Sequence, residues 1–331
     1  MNFGYSSAKR EALPWQDMSS TLGVCDNGGS TTVATAAGSV SAGTIVAPRR
    51  NRALDWTLKF ARKKPLGAIG AVIVILLLAM ALLAPIIAPY DPIAQDATVR
   101  LRPPSAAHWA GTDQFGRDVF SRVIWGSQTS LQIGVLVTVV ASTIAVSLGL
   151  VSAYAGGWVD YTIGRIVDTV QAIPFLILLI AIMVVLGPSL INVVFALSFR
   201  RSVTESRIIR SAALGLMGQV YIEAAKSLGA APTWIMLRHL LPNIMPTLIV
   251  LASLGFGGVI ISESSLSFLG YGVPPPTPTW GGMLANEGRS YMFSAPWMLI
   301  APTLALGIVV FGINVFGDAL RDVLDPRLRG S

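Results

Sequence analysis

Apolar residues in this chain come in long runs with few or no charges, and charged residues collect at the margins of those runs. Residues 66–88, opening LGAIGAVIVILLLAMALLAP, contain no charge at all. Similar runs follow at 131–155 (LQIGVLVTVVASTIAVSLGLVSAYA), 166–187 (IVDTVQAIPFLILLIAIMVVLG), 243–263 and 297–319. A helix crossing a hydrocarbon core about 30 Å thick needs about 20 mostly apolar residues, so each run predicts a span. A further run opens at residue 189 and turns into SFRRSVTESRIIRS by residue 211. Together these predict an all-α integral membrane protein with about six transmembrane helices.

Small residues recur at helical spacing in the second run: Gly134, Thr138, Ser142, Ala145, Gly149 and Ala153. Such side chains let helices approach closely in lipid, and lining a pore is their other use. Pro174 predicts a kink in the third run, where one backbone hydrogen bond is lost. VPPPTPTWGG, residues 273–282, is too rich in proline for a helix or a central strand. It predicts a stiff extended loop with Trp280 at the membrane–water boundary.

Between the fourth and fifth runs lies QVYIEAAKSLG, 219–229, which has the character of a short soluble helix. Gln219, Glu223, Lys226 and Ser227 fall along one stripe; Val220, Tyr221, Ala224, Ala225 and Leu228 fall along the other. Gly229 is placed to stop the helix in the left-handed conformation, with Pro232 close behind. A helix of about three turns is marginal alone in water, so its apolar stripe must be buried. Packing on this chain's own helix ends and docking on a partner both satisfy that requirement. A third option, lying among lipid headgroups, is weakened by the single Lys and the single aromatic.

Composition and charge orient this picture. Of 331 residues, 53% are hydrophobic and 12% charged, against about 25% charged in soluble domains, which leaves too little polar surface for water. The formal charge of +7 raises nucleic acid as a partner. That reading fails because the basic residues flank apolar runs and form no face with base-reading side chains. Counted by side, nineteen Lys and Arg fall with the termini and five with the intervening loops, so both termini are expected in the cytoplasm. Segments 89–127 and 265–296 then face outward, and 219–229 faces the cytoplasm. Residues 1–48 lack an apolar core and read as a disordered cytoplasmic tail, followed by a basic lead-in at 49–65. Cys25, the single cysteine, sits in that tail as an incidental thiol.

Candidate chemistry is sparse. The chain has no phosphate-binding Gly-rich loop with Gly-Lys and no His-Glu-x-x-His metal pair, and His108 and His239 are assigned to opposite membrane faces. Arg200, Arg201, Glu205, Arg207 and Arg210 are costly at mid-bilayer. Either Glu205 pairs locally with Arg201 or Arg207 where the helix leaves the lipid, or these charges line a solute route. Glu263 is either an interfacial carboxylate bonded to nearby serines or a contact for an amine on a solute route. Asp113, Arg117 and Asp118 either meet a substrate-delivery protein or tie down the outward loop.

Residues 223–243, EAAKSLGAAPTWIMLRHLLPN, resemble the cytoplasmic loop signature of permease subunits of bacterial ATP-binding-cassette importers. Glu223, Ala224, Ala225, Gly229, Leu241 and Pro242 fall on that pattern. His239 takes the place of an Ile, as in the peptide-permease branch. KKPLGAIGAVIVILLLAMALLAPIIAPYDP (63–92), HWAGTDQFGRDVFSRVIWGSQTSL (108–131), SESSLSFLGYGVPPPTPTWGGML (262–284) and GDALRDVLDPRLR (317–329) are similar to the C-type permease subunit of dipeptide and oligopeptide importers. Gln128 stands where that family often has Arg.

The resemblance implies a type I importer permease fold over 66–331 in the bacterial inner membrane, with helix 219–229 as a coupling helix. Val220, Tyr221, Glu223, Ala224, Ala225, Leu228 and Gly229 are then the residues that meet an ATPase cleft. Implied partners are a second homologous permease subunit, two cytoplasmic ATP-binding subunits and an extracytoplasmic substrate-binding protein. No cofactor is implied on this chain, since ATP and Mg belong to the ATPases, and no catalysis is implied either. The expected cargo is di- or oligopeptide, with glutathione or nickel as alternatives. From a different class, a stand-alone secondary transporter would show ionisable residues and internal repeats near mid-membrane.

Overall fold

The computed structural model describes residues 64–324, and the expected tail at 1–48, most of the basic lead-in and the last residues lie outside them. Eight principal helices carry the fold. They are α1 (Pro65–Leu82), α2 (Val119–Ala155), α3 (Gly157–Ala172), α4 (Phe175–Leu186), α5 (Leu190–Met217), α6 (Val220–Ser227), α7 (Pro232–Phe268) and α8 (Trp297–Leu324). Helices α1, α2, α7 and α8 are long and apolar enough to cross a membrane, and the bent pair α3–α4 makes a fifth candidate span.

Two expected spans come out differently. The third is not one kinked helix: α3 and α4 meet at 94°. Pro174 is the reason, since its ring disfavours the helical conformation in the residue before it, and both Ile173 and Pro174 are extended. The fourth, α5, is a continuous helix of 28 residues, but its Arg and Glu residues keep it outside the apolar class. All but Arg200, which reaches the Thr204 hydroxyl, are paired within the protein. Arg201 pairs with Glu205, Arg207 with Asp168 of α3, and Arg210 with Asp160 of α3. Asp160 also accepts from the Ser152 hydroxyl of α2. Local pairing of Glu205 therefore holds with Arg201, whereas Arg207 reaches across to another helix.

Close helix crossings explain the small residues. A Cβ on Gly70 of α1 would lie 2.6 Å from Gly312 O and 2.7 Å from Phe316 N of α8, so only glycine lets these helices meet there. On α2, Gly149 sits against Ile209 and Ser206 of α5, and Gly134 against Phe256 of α7. The close-packing use of the α2 stripe is thus present at both ends. Ile133, Val137, Leu179, Met183, Val193 and Val259 form one core where α2, α4, α5 and α7 converge. A second core, around Leu150, Ile209, Ile222, Ile235 and Ile244, gathers the ends of α2, α5 and α7 around α6.

The proline-rich segment departs from expectation at its end, where Trp280–Gly282 begins a helix capped by the Thr279 hydroxyl. Trp280 is fully buried rather than at a boundary, packing with Leu77, Ile260, Val309 and Ile313. Its indole N–H donates to Val123 O at 2.9 Å, which satisfies its one polar atom.

Candidate functional site

Helix α6 is built to stand rigidly between two long helices. Its first turn carries Glu223 and its last turn Lys226, each matching the nearby end of the helix dipole. At its C-terminus, Gly229 adopts φ +75°. Its N–H reaches Lys226 O at 3.0 Å, and the Ala230 N–H reaches Ala225 O at 3.1 Å. This paired pattern closes a helix through a left-handed residue, as the sequence predicts. Nothing lies within 4 Å of a Cβ built on Gly229, so its requirement is conformational rather than steric.

The two stripes of α6 differ from those that periodicity predicts. Ile222, omitted from the apolar stripe, is 0% exposed and joins Ala225 in the core formed with Leu150, Ile209 and Ile235. Val220 and Leu228 are 81% and 88% exposed, and Tyr221, Glu223 and Ala224 are exposed beside them. Of the seven residues expected to meet a partner, only Ala225 is buried in this chain. The helix combines self-packing with an open face: one edge packs on its own protein, and the ridge Val220–Ala224–Leu228, spaced by one turn, faces out. Lys226 lies over the Tyr154 ring at 5.6 Å, a further tie to the end of α2.

The start of α7 supports this arrangement. Met236–Leu240 widens to π-helical hydrogen bonding, the Leu241 N–H reaching back to Met236 O. Pro242 follows directly, and its ring would clash with the Arg238 carbonyl in a regular helix. Within the widened turn, His239 packs against Trp234 at 4.7 Å and Tyr221 at 5.9 Å. His239 thus packs at the junction between α6 and α7.

At the opposite end of α2, Asp113, Arg117 and Asp118 are all buried. Asp113 Oδ1 accepts from the Phe115 and Arg117 N–H groups at 2.8 and 2.9 Å, and Arg117 Nε donates to Oδ2 at 2.5 Å. Arg122 Nε stands 3.8 Å from the same carboxylate. Asp118 caps α2 by accepting from the Ser121 N–H at 2.7 Å, and its other oxygen lies 3.0 Å from His108 Nδ1. These contacts tie the loop down, and all three side chains are buried within this chain. Exposed in the same loop, Asp96 accepts from the Thr98 hydroxyl and amide, which hold its carboxyl below the usual carboxylate range.

Glu263 is likewise buried, with Ser267 Oγ donating to it at 2.7 Å and Ser264 Oγ at 3.5 Å. The serine-bonded reading fits this geometry. Among the described residues no group of His, Cys, Asp and Glu is arranged to hold a metal ion.

Comparison with known proteins gives concordant matches. Residues 145–330 match the family described as the binding-protein-dependent transport system inner membrane component. Residues 58–104 match the N-terminal transmembrane domain of oligopeptide transport permease C. A probable D,D-dipeptide transport system permease protein of Escherichia coli is 43% identical over 277 residues, covering 84% of this chain and 92% of that one. The dipeptide transport system permease protein of Alkalihalophilus pseudofirmus is 38% identical over 286 residues, covering 86% and 92%. A glutathione transport system permease protein of Pectobacterium atrosepticum is 41% identical over 276 residues, covering 83% and 91%. Among solved structures, a chain of the MetNI methionine ABC transporter in an inward-facing conformation superposes with a TM-score of 0.50 at 20% identity, over 62% of this chain and 96% of that one. That likeness concerns the fold alone.

Proposed function

This chain belongs to the binding-protein-dependent inner-membrane transport components, of the oligopeptide permease C type, and from that premise we propose that it carries di- or oligopeptides into the cell. As a permease subunit of an ATP-binding-cassette importer it has no catalytic activity of its own. In this reading it forms the path with a second homologous permease. Two cytoplasmic ATPases hold ATP and Mg, an extracytoplasmic binding protein delivers the peptide, and this chain binds no cofactor. Both termini lie in the cytoplasm, following the nineteen-to-five charge asymmetry.

The observation that carries the proposal is the exposed ridge of α6, Val220, Ala224 and Leu228, mounted on a core shared with α2, α5 and α7. An apolar ridge of this kind on a braced helix suits a lever. ATPases closing around ATP would push the long helices rather than bend a loop, and ATP would favour one access state through differential affinity. Glutathione, a peptide-like solute named for one group of relatives, is the second reading of the cargo. Co-purification tests the assembly. The detergent-solubilised chain, expressed with its second permease and candidate ATPase subunits, is expected to bring down a nucleotide-binding subunit at a one-to-one ratio. Elution without any such subunit under conditions where the second permease is retained would overturn the proposal.

A further inference from the structure

The ends of α2, α3 and α5 nearest α6 enclose a polar cavity that neither the α6 ridge nor the α2 loop uses. It measures about 240 Å³, and its charged walls are Asp160, Arg165 and Asp168 of α3 with Arg207 and Arg210 of α5. Asp160 is saturated by Arg210, which donates to both its oxygens, and by the Ser152 hydroxyl. Asp168 is shared. Arg207 donates to one of its oxygens, and Arg165 Nη1 stands 4.0 Å from the other. The Arg165 and Arg207 side chains are 65% and 53% exposed. Two accessible guanidiniums thus divide one carboxylate between them, and one positive charge is left over.

A second cavity, of about 170 Å³, adjoins the first: Leu148, Ile163 and Val167 line both. Its walls carry no charge and include Val140, Ile144, Phe195 and Phe199. Ser152, Leu148, Ile144 and Val140 follow one another at one-turn steps along α2, so an apolar cleft leads into the span from its charged end. On α3 beside the charged end, Trp158 and Tyr161 are exposed, and the Arg165 guanidinium lies over the Tyr161 ring at 4.8 Å. Exposed Trp and Tyr favour the level of lipid headgroups, and basic pockets between membrane helices hold those headgroups.

The two cavities ask for different halves of one molecule. Paired guanidiniums suit a singly charged group with two oxygens to share, and the cleft suits a chain without polar atoms. We propose that the cleft between α2, α3 and α5 holds a phospholipid of the leaflet on the α6 side. Its phosphate lies between Arg165 and Arg207, and an acyl chain runs along Leu148, Ile144 and Val140. The single surplus charge sets a preference: a lipid charged only at its phosphate binds better than one whose head also carries an ammonium. Bound there, the lipid fills the gap between α3 and the two helices whose ends brace α6.

Photo-crosslinking in the detergent-solubilised complex with the second permease and ATPases tests it. Phosphatidylglycerol and phosphatidylcholine, each with a diazirine in one acyl chain, are compared on the unaltered protein. Phosphatidylglycerol is expected to form adducts within 140–167 and 195–203, half-saturating at about a tenth of the phosphatidylcholine concentration, the worth of one charge-assisted contact. Arg165→Gln and Arg207→Gln should each narrow that difference, and Ile144→Trp, which fills the cleft, should lower labelling by both lipids. Equal saturation by the two lipids on the unaltered protein, adducts spread over all the membrane helices, or an unchanged difference in both arginine variants would overturn the assignment. Competition by glycerophosphoglycerol at the same concentration would also overturn it, leaving a phosphate pocket. Displacement by trialanine would instead make the cleft part of a solute route. Adducts that form in the isolated chain but not in the complex would make it a subunit interface, and either result ends the lipid reading.

Discussion

Ala224→Arg is expected to reduce uptake to background and release the ATPase while leaving the chain folded in the membrane. Ala224 is exposed at the middle of the α6 ridge, so the longer side chain meets nothing within its own protein, and Arg is a good helix former. A guanidinium forced into an apolar cleft without a partner costs about 3 kcal/mol or more, over a hundredfold in docking equilibrium. Leu228→Arg should act the same way. Ile222→Ala makes a useful contrast because Ile222 lies wholly in the shared core. It should cost about 2–5 kcal/mol of stability and lower the thermal midpoint. Ala224→Arg should not move that midpoint. The checks are size-exclusion co-elution, uptake in proteoliposomes and a thermal melt on each variant; normal uptake by Ala224→Arg would remove α6 from the coupling path.

Asp113→Ala should be the most damaging substitution in the loop before α2. The carboxylate accepts two backbone N–H groups and the Arg117 guanidinium, all in a buried setting. Removing one partner of a buried charge pair costs about 3–5 kcal/mol, which predicts a fall in thermal midpoint on the order of 10 °C. Asp113→Asn keeps Oδ1 for the Phe115 and Arg117 amides but turns an amide NH2 toward Arg117 Nε, losing that acceptor, so its effect should be smaller than that of Asp113→Ala, which loses all three bonds. A melt of Asp113→Ala that matches the parent would show that the loop does not depend on this network.

The fold was legible wherever a long apolar run stood alone: α1, α2, α7 and α8 cover the runs that the pattern marked, with α2 starting earlier, at the Asp118 cap, and α7 earlier, at Pro232. It was less legible where tertiary contacts decide. Pro174 announced a bend, but composition does not carry its 94° size. The α5 charges looked costly because Asp160 and Asp168, their partners, sit on a helix 39 to 50 residues away in sequence. On α6, periodicity located the helix and its glycine stop. It misplaced the buried stripe, however, because Ile222 and Val220 are equally apolar and only the α2, α5 and α7 ends decide which is covered. Motif resemblance marked Asp113, Arg117 and Asp118 but did not carry their burial or their mutual contacts. Nothing in the sequence singled out Gly255, whose missing Cβ admits Arg201.

The central claim is that this chain moves its solute only when ATPases act on α6 and a binding protein delivers the cargo. Uptake of a labelled dipeptide into proteoliposomes holding the full complex tests it most directly. The account predicts uptake that needs ATP on the α6 side and loaded binding protein on the other, and that is unaffected by collapsing proton and sodium gradients. Uptake by this chain without ATPase subunits, driven by an ion gradient, would contradict it.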